Sequence, residues 1–365
     1  VTGARPLTIL HLAANRWWTG SAEPVTRLVT GLRARGHRAF LGVIPGDRFE
    51  EKAREVGIDP LAVALEGGPR ALARDAARLR RLVRDERVDV VHVNHSHDHW
   101  LARIARGQAR LVRTFHNTRA VRRDWPSRAL YARTDGAVAV SAEIERRCRE
   151  VLGGDRVWRV SGAVDLERFG RGDGRAIRDE LKVGDAPLVG CVARMAPGRG
   201  HDVLILAFER ALAKVPDARL VLVGKGETRG ALEALVAERG LAQRVVFAGY
   251  RDRDLPDALA AFDCFTLMAA GSDETCRAAL EAMAAGLPVV ARPVGALPET
   301  VIHEETGLLA DGPADVGGAI ASLLRDRPRA RAMGAAGRRR ATAAFSPARH
   351  VEDVERVYRA VLGER

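Results

Sequence analysis

With 365 residues, 47% of them hydrophobic and 29% charged, the chain is long enough for two ordinary domains, which excludes a peptide, a stapled miniprotein and a disordered tail. Its four cysteines, Cys148, Cys191, Cys264 and Cys276, form no close pair, which leaves no disulfide framework or cysteine zinc site and fits a reducing cytoplasm. The net charge of +12 is lopsided, because residues 1–165 carry 30 basic against 19 acidic side chains and residues 166–365 carry 29 against 28, so an anionic partner is expected for the first half.

The opening apolar stretch is broken by His11 and is too short for a secretion signal, so Leu7–Leu12 reads as a buried first strand. No window of about 18 residues lacks a charge, which excludes a membrane-spanning helix and leaves only peripheral membrane contact. Val25, Leu28, Val29 and Leu32 fall on one helical face that stops at Gly36, ahead of a strand at Ala39–Ile44. Strands follow at Val88–Val93, Leu111–Phe115 and Gly136–Val140. After a polar, glycine-containing stretch near residues 166–175, read as a linker, the pattern restarts with strands at Leu188–Val192, Leu220–Val223, Val245–Ala248, Cys264–Leu267 and Val289–Ala291. Strands alternating with amphipathic helices predict an α/β chain of two doubly wound domains. Ligands of such sheets sit beyond the carboxyl ends of the strands.

Two segments there suit an anion. In GSDETCRAALEAMAAGLPVVA, residues 271–291, Thr275, Cys276 and Arg277 stand at a helix start whose free N–H groups and dipole favour a diphosphate. Glu281 follows one turn later, within reach of neighbouring hydroxyls, and Asp273 lies in the loop before. After the strand ending at Val192, the loop carrying Arg194 and Arg199 offers two guanidinium forks for phosphate oxygens.

Together these stretches resemble the retaining GT-B glycosyltransferases of family 4, the glycosyl transferases group 1, over nearly the whole chain. In the first half the resemblance is carried by Gly20-Ser21-Ala22-Glu23, Gly36-His37, the DVVH run at residues 89–92, Thr114-Phe115-His116 and residues 164–169. In the second half it rests on Arg194 with Arg199, where lysine is usual, and on Asp273 to Glu281 at the spacing of the E-x7-E signature. Aspartate replaces its first glutamate. The resemblance implies two Rossmann-like domains facing across a cleft. Residues 1–168 would form the acceptor side, residues 169–345 would bind the nucleotide sugar, and a C-terminal helix within 346–365 would pack back on the first.

It also implies a UDP- or GDP-sugar donor as co-substrate, transfer to an acceptor hydroxyl with retention, and no metal cofactor. Glu281 would bind the ribose, Asp273 and His116 the transferred sugar, and Arg194 and Arg199 the diphosphate. Gly20 would let the backbone approach the phosphates, and the main chain at Arg251 would meet the base. Breaking the sugar–phosphate bond leaves negative charge on the departing phosphate, which those arginines and the helix start stabilise.

Other features admit other readings. His95, His97 and His99 in HVNHSHDH would share one face if extended, which suggests a metal-dependent hydrolase. The shorter Asp273 suggests a catalytically idle nucleotide-sugar binder on the same fold. The glycines at 224–230 only approximate a dinucleotide fingerprint, and Asp254 in Asp252-Arg253-Asp254 reads as a helix cap. All five tryptophans lie in the basic half, with Arg113, Arg119, Arg122, Arg123 and Arg128 around His116 and Trp125. That combination suits an anionic or lipid-linked acceptor at the inner face of a membrane. No nucleic acid is expected.

Overall fold

The computed structural model describes residues 5–13, 22–63, 69–271 and 273–364. In chain order the strands are β1 (Thr8–Ala13), β2 (Arg38–Val43), β3 (Leu61–Ala62), β4 (Val90–Val93), β5 (Arg110–Phe115), β6 (Gly136–Ala139), β7 (Val157–Arg159), β8 (Leu188–Val192), β9 (Arg219–Val223), β10 (Val245–Gly249), β11 (Cys264–Leu267), β12 (Val289–Ala291) and β13 (Gly307–Leu309). They form two sheets, ordered β3-β2-β1-β4-β5-β6-β7 and β10-β9-β8-β11-β12-β13. Every pairing between them is parallel. Parallel sheets are covered by helices on both faces, and the unbroken burial of β1, β4, β6 and β11 follows from that. The architecture is α/β, with two Rossmann-like domains.

Three strands were not expected from the sequence: β3, β7 and β13. Each is two or three residues long and each lies at a sheet edge. An edge strand needs little apolar length because one side lacks a neighbour. Its pairing is therefore decided by tertiary contact rather than by a local pattern.

The chain divides into two compact units, one of Val1–Gly162, Ser272–Glu274 and Pro347–Arg365, the other of Ala163–Gly271 and Thr275–Ser346. In the first, the C-terminal helix Pro347–Leu362 buries Val351, Val354, Val357 and Tyr358 in a core shared with β1, β2 and the helix Ala22–Ala34. In the second, the stretch read as a linker is built into the unit. Leu166–Phe169 and Arg175–Glu180 are short helices, and Val164, Phe169 and Ile177 belong to its core. A side chain at Gly174 would stand 2.4 Å from the Ala261 backbone nitrogen. Close packing, rather than a loose tether, accounts for that glycine.

Candidate active site

In the first unit the strand order reverses between β1 and β4, where doubly wound sheets place their ligands. Side chains two residues apart on a strand share a face. His92 on β4 and Thr114 on β5 lie in the sheet, and Asn94 and His116 continue the same rows just past the strand ends. His92 is hydrogen-bonded to the Tyr358 hydroxyl at 2.6 Å and to Thr114 Oγ1 at 2.7 Å, while His11 Nε2 approaches the same tyrosine at 3.2 Å. Burial pushes the His11 pKa down to about 3 and that of His92 well below its ordinary value, so both rings are neutral supports.

Above this layer, His116 Nε2 meets Asn94 Oδ1 at 3.1 Å, and His116 Nδ1 lies 3.4 Å from Asp273 Oδ2. The neighbouring residue fixes that approach. The Glu274 amide donates to the His116 carbonyl at 2.8 Å. The Glu274 carboxylate accepts from the Thr118 amide and hydroxyl at 2.7 and 2.9 Å. An imidazole and a carboxylate, side chains 12% and 11% exposed, are thus held side by side at a strand end. They can address two polar groups of one small ligand.

In the second unit the order reverses between β8 and β11, and the loops following β8, β9 and β11 meet there. A Cβ at Gly226 would lie 2.1 Å from the Met195 carbonyl oxygen, so the loop after β9 crosses directly against the loop that carries Arg194 and Arg199. Gly271 has φ +85°, and a Cβ there would stand 2.1 Å from Arg199 Nη1. The positive φ is what favours glycine here, and Arg199 reaches across the loop against it. The helix Arg277–Ala284 then begins from Cys276, whose φ of +53° is unusual for a residue with a side chain. Thr275 precedes it. Arg277 and the buried Glu281 pair at 3.0 Å along the first turn, and Arg194 pairs with Glu227 at 3.0 Å near the surface. Guanidinium groups, a helix start and a buried carboxylate at one sheet end suit a ligand bearing both phosphate and hydroxyls.

The family model for "Glycosyl transferases group 1" matches residues 174–340, and that for "Glycosyltransferase Family 4" matches residues 18–168. The GDP-mannose-dependent alpha-(1-6)-phosphatidylinositol monomannoside mannosyltransferase of Mycobacterium tuberculosis is 34% identical over 348 residues, covering 88% of each chain. The chain belongs to the family 4 glycosyltransferases. A D-inositol 3-phosphate glycosyltransferase of Nocardia farcinica is 33% identical over 301 residues, covering 73% of this transferase and 64% of that chain. Among solved structures, Anabaena HepE in complex with UDP superposes with a TM-score of 0.85 at 20% identity, covering 96% and 99% of the two chains. Sucrose-phosphate synthase of Thermosynechococcus elongatus gives 0.77 at 22%, covering 98% and 99%. Both show the GT-B fold.

The remaining candidates of the transferase fall into place differently from one another. Gly20 lies outside the described residues. The Arg251 guanidinium is held by Glu180 and Asp254, which leaves only its main chain for a donor. Asp254 precedes its helix but spends its carboxylate on Arg251, with no side-chain cap bond. Residues 95, 97 and 99 do not share a strand face, because the helix Ser96–Ala105 begins directly after His95. Asp98 accepts from the His95 amide at 3.3 Å, and His99 is buried between Thr134 and Arg113. Among the described residues no group of three such side chains is placed to hold a metal ion. Arg113 is also no surface cation, being 1% exposed and stacked 4.3 Å over Phe115. Sequence reasoning missed Asn94, Thr118 and Glu274, whose part is to orient neighbours. Only the proximity of Asn94 to a strand end gave any signal.

Proposed function

We propose that this transferase moves mannose from GDP-mannose to a hydroxyl of a phosphoinositide lipid, with retention of configuration and without a metal. The His116–Asp273 pair at 3.4 Å carries the transfer reading, since it offers two polar groups to one bound sugar. The substrate class is supported by the relatives, whose names share a phosphorylated inositol. The bond between the anomeric carbon and the β-phosphate oxygen breaks with its electron pair leaving on GDP. A new bond forms from that carbon to the acceptor oxygen, and the acceptor's proton passes to the departing phosphate. Arg194, Arg199 and the N–H groups around Cys276 and Arg277 stabilise the charge that develops there, and Glu281 holds the ribose.

For the acceptor, Trp125 is 80% exposed, and Arg122 and Arg123 beside it are each 65% exposed. An amphipathic ring among cations suits the headgroup level of an anionic bilayer. No helix of the described residues is long and apolar enough to cross a membrane, so contact would be peripheral.

Incubation with GDP-mannose and vesicles containing phosphatidylinositol or its monomannoside, read as GDP release and mannolipid by mass spectrometry, tests the proposal. Turnover is expected with the lipid acceptor and is expected to persist in EDTA. Turnover with UDP-sugars alone would overturn the donor, and turnover only with soluble inositol phosphate would overturn the lipid.

A further inference from the structure

The HVNH stretch contains a residue whose hydrogen bonds point in one direction. Asn94 is 7% exposed; its Nδ2 donates to the Leu12 carbonyl at 3.2 Å, and its Oδ1 faces His116 Nε2 at 3.1 Å. A backbone carbonyl only accepts, so the amide nitrogen must face Leu12. The reverse orientation would set two buried oxygen acceptors against each other, at a cost of about 1–3 kcal/mol for the unmet group. The Asn94 oxygen is therefore fixed toward the imidazole, and an oxygen that only accepts requires a proton on Nε2.

We propose that Asn94 is a positioning residue for His116, keeping the proton on Nε2 and leaving Nδ1, on the Asp273 side, as the ring atom that exchanges hydrogen bonds with substrate. A ring protonated on Nδ1 alone would leave Nε2 with no proton to offer the Asn94 oxygen. With a proton held on Nε2 toward Asn94, Nδ1 is the ring atom left on the Asp273 side, 3.4 Å from its carboxylate, where a bound sugar would present its hydroxyls. The geometry is independent of the donor, whereas the consequence for turnover rests on the function proposed above.

The ring can be read directly in the full chain labelled with ¹⁵N-histidine, by two-bond proton–nitrogen correlation, with His116→Gln assigning the signals. The expected result is a protonated Nε2 in the wild type. In Asn94→Leu the proton is expected to redistribute to Nδ1, with kcat for mannosyl transfer falling about 10- to 100-fold and the affinity for GDP unchanged by calorimetry. Asn94→Gln keeps both an amide N–H and an accepting amide oxygen, so it should retain the signature and recover part of kcat. An unprotonated Nε2 in the wild type, or an Asn94→Leu ring unchanged from it, overturns the proposal. Should Asn94→Leu fail to fold, the wild-type and Asn94→Gln spectra decide. The expected signature in a protein that turns over no sugar nucleotide would support the placement of His116 while defeating the donor reading.

Discussion

The two units solve the same topological problem with opposite materials. At the strand-order reversal of the first, buried groups are tied to one another: His11, His92 and Tyr358 beneath, Asn94 and His116 above. At the reversal of the second, the candidate groups are charged, and Arg194 lies nearer to water. Arg194, its side chain 66% exposed, and Arg199 lie over glycine-bearing loops. On the proposed function, the first arrangement suits a sugar, whose hydroxyls are recognised by direction, and the second a departing diphosphate, which is recognised by charge.

The largest expected difference between the units appears in acid. Burial lowers His11 to about 3 and His95 to about 4, and lowers His92, His99 and His350 as well, all in the first unit, whereas His201 is the lowered histidine of the second. A histidine with a folded pKa below its unfolded value of about 6.5 binds more protons when unfolded. Stability is therefore full above that pH and declines as pH falls toward the folded values. Each such group can remove up to about 1.4 kcal/mol per pH unit. Hydrogen exchange at pH 7 and pH 5 should show protection lost around β1 and β4 before β8 and β9. Equal loss in both units would break the contrast.

Catalysis gives the next largest effect. Asp273→Asn and His116→Ala are each expected to lower kcat roughly 10²–10³-fold while leaving GDP binding near wild type, because on the proposed function these groups would address the sugar and its reacting carbon. Steady-state kinetics beside GDP calorimetry would check this. A loss confined to GDP affinity would assign the pair to the wrong part of the donor.

The two units were not equally legible in the sequence. The central strands of both could be read as apolar runs, and Leu188–Val192, Cys264–Leu267 and Val289–Ala291 have the bounds expected of them. The two- and three-residue edge strands β3, β7 and β13 could not, since they are too short to show an apolar run. The charged residues of the second unit announced themselves by type, and the loop positions of Arg194, Arg199 and the helix start near Cys276 followed from strand ends. Orienting residues carry no such mark: nothing local distinguishes Asn94, or a Glu274 that accepts from Thr118, from any polar loop residue. The metal alternative for the histidine run depended on an extended spacing, whereas a helix beginning at Ser96 turns alternate residues to different sides.

Within the second unit, Arg199→Ala should weaken turnover about 100-fold. Arg194→Ala should cost less, because that guanidinium is more exposed and shares its charge with Glu227. Thermal protection by GDP-mannose should follow the same order. The opposite ranking would mean that exposure in the free protein misidentifies the phosphate ligand.

The smallest effect concerns the surface of the first unit. Arg122 and Arg123 have partners, Asp124 and Glu150, but exposed pairs contribute little and exchange readily for lipid phosphate. Near an anionic surface each arginine is worth about 1 kcal/mol, and the 80% exposed Trp125 adds an amphipathic anchor at the same place. Trp125→Ala should therefore raise the apparent KM for acceptor in anionic vesicles by roughly 5-fold, the equivalent of about 1 kcal/mol. The KM for a water-soluble acceptor should be unchanged. Salt should diminish the wild-type advantage, since surface charges are screened beyond about 10 Å at 0.1 M. An equal rise for both acceptors would place Trp125 in acceptor binding itself, and the distinction between a rigid interior and a charged exterior would then have to be drawn elsewhere on this unit.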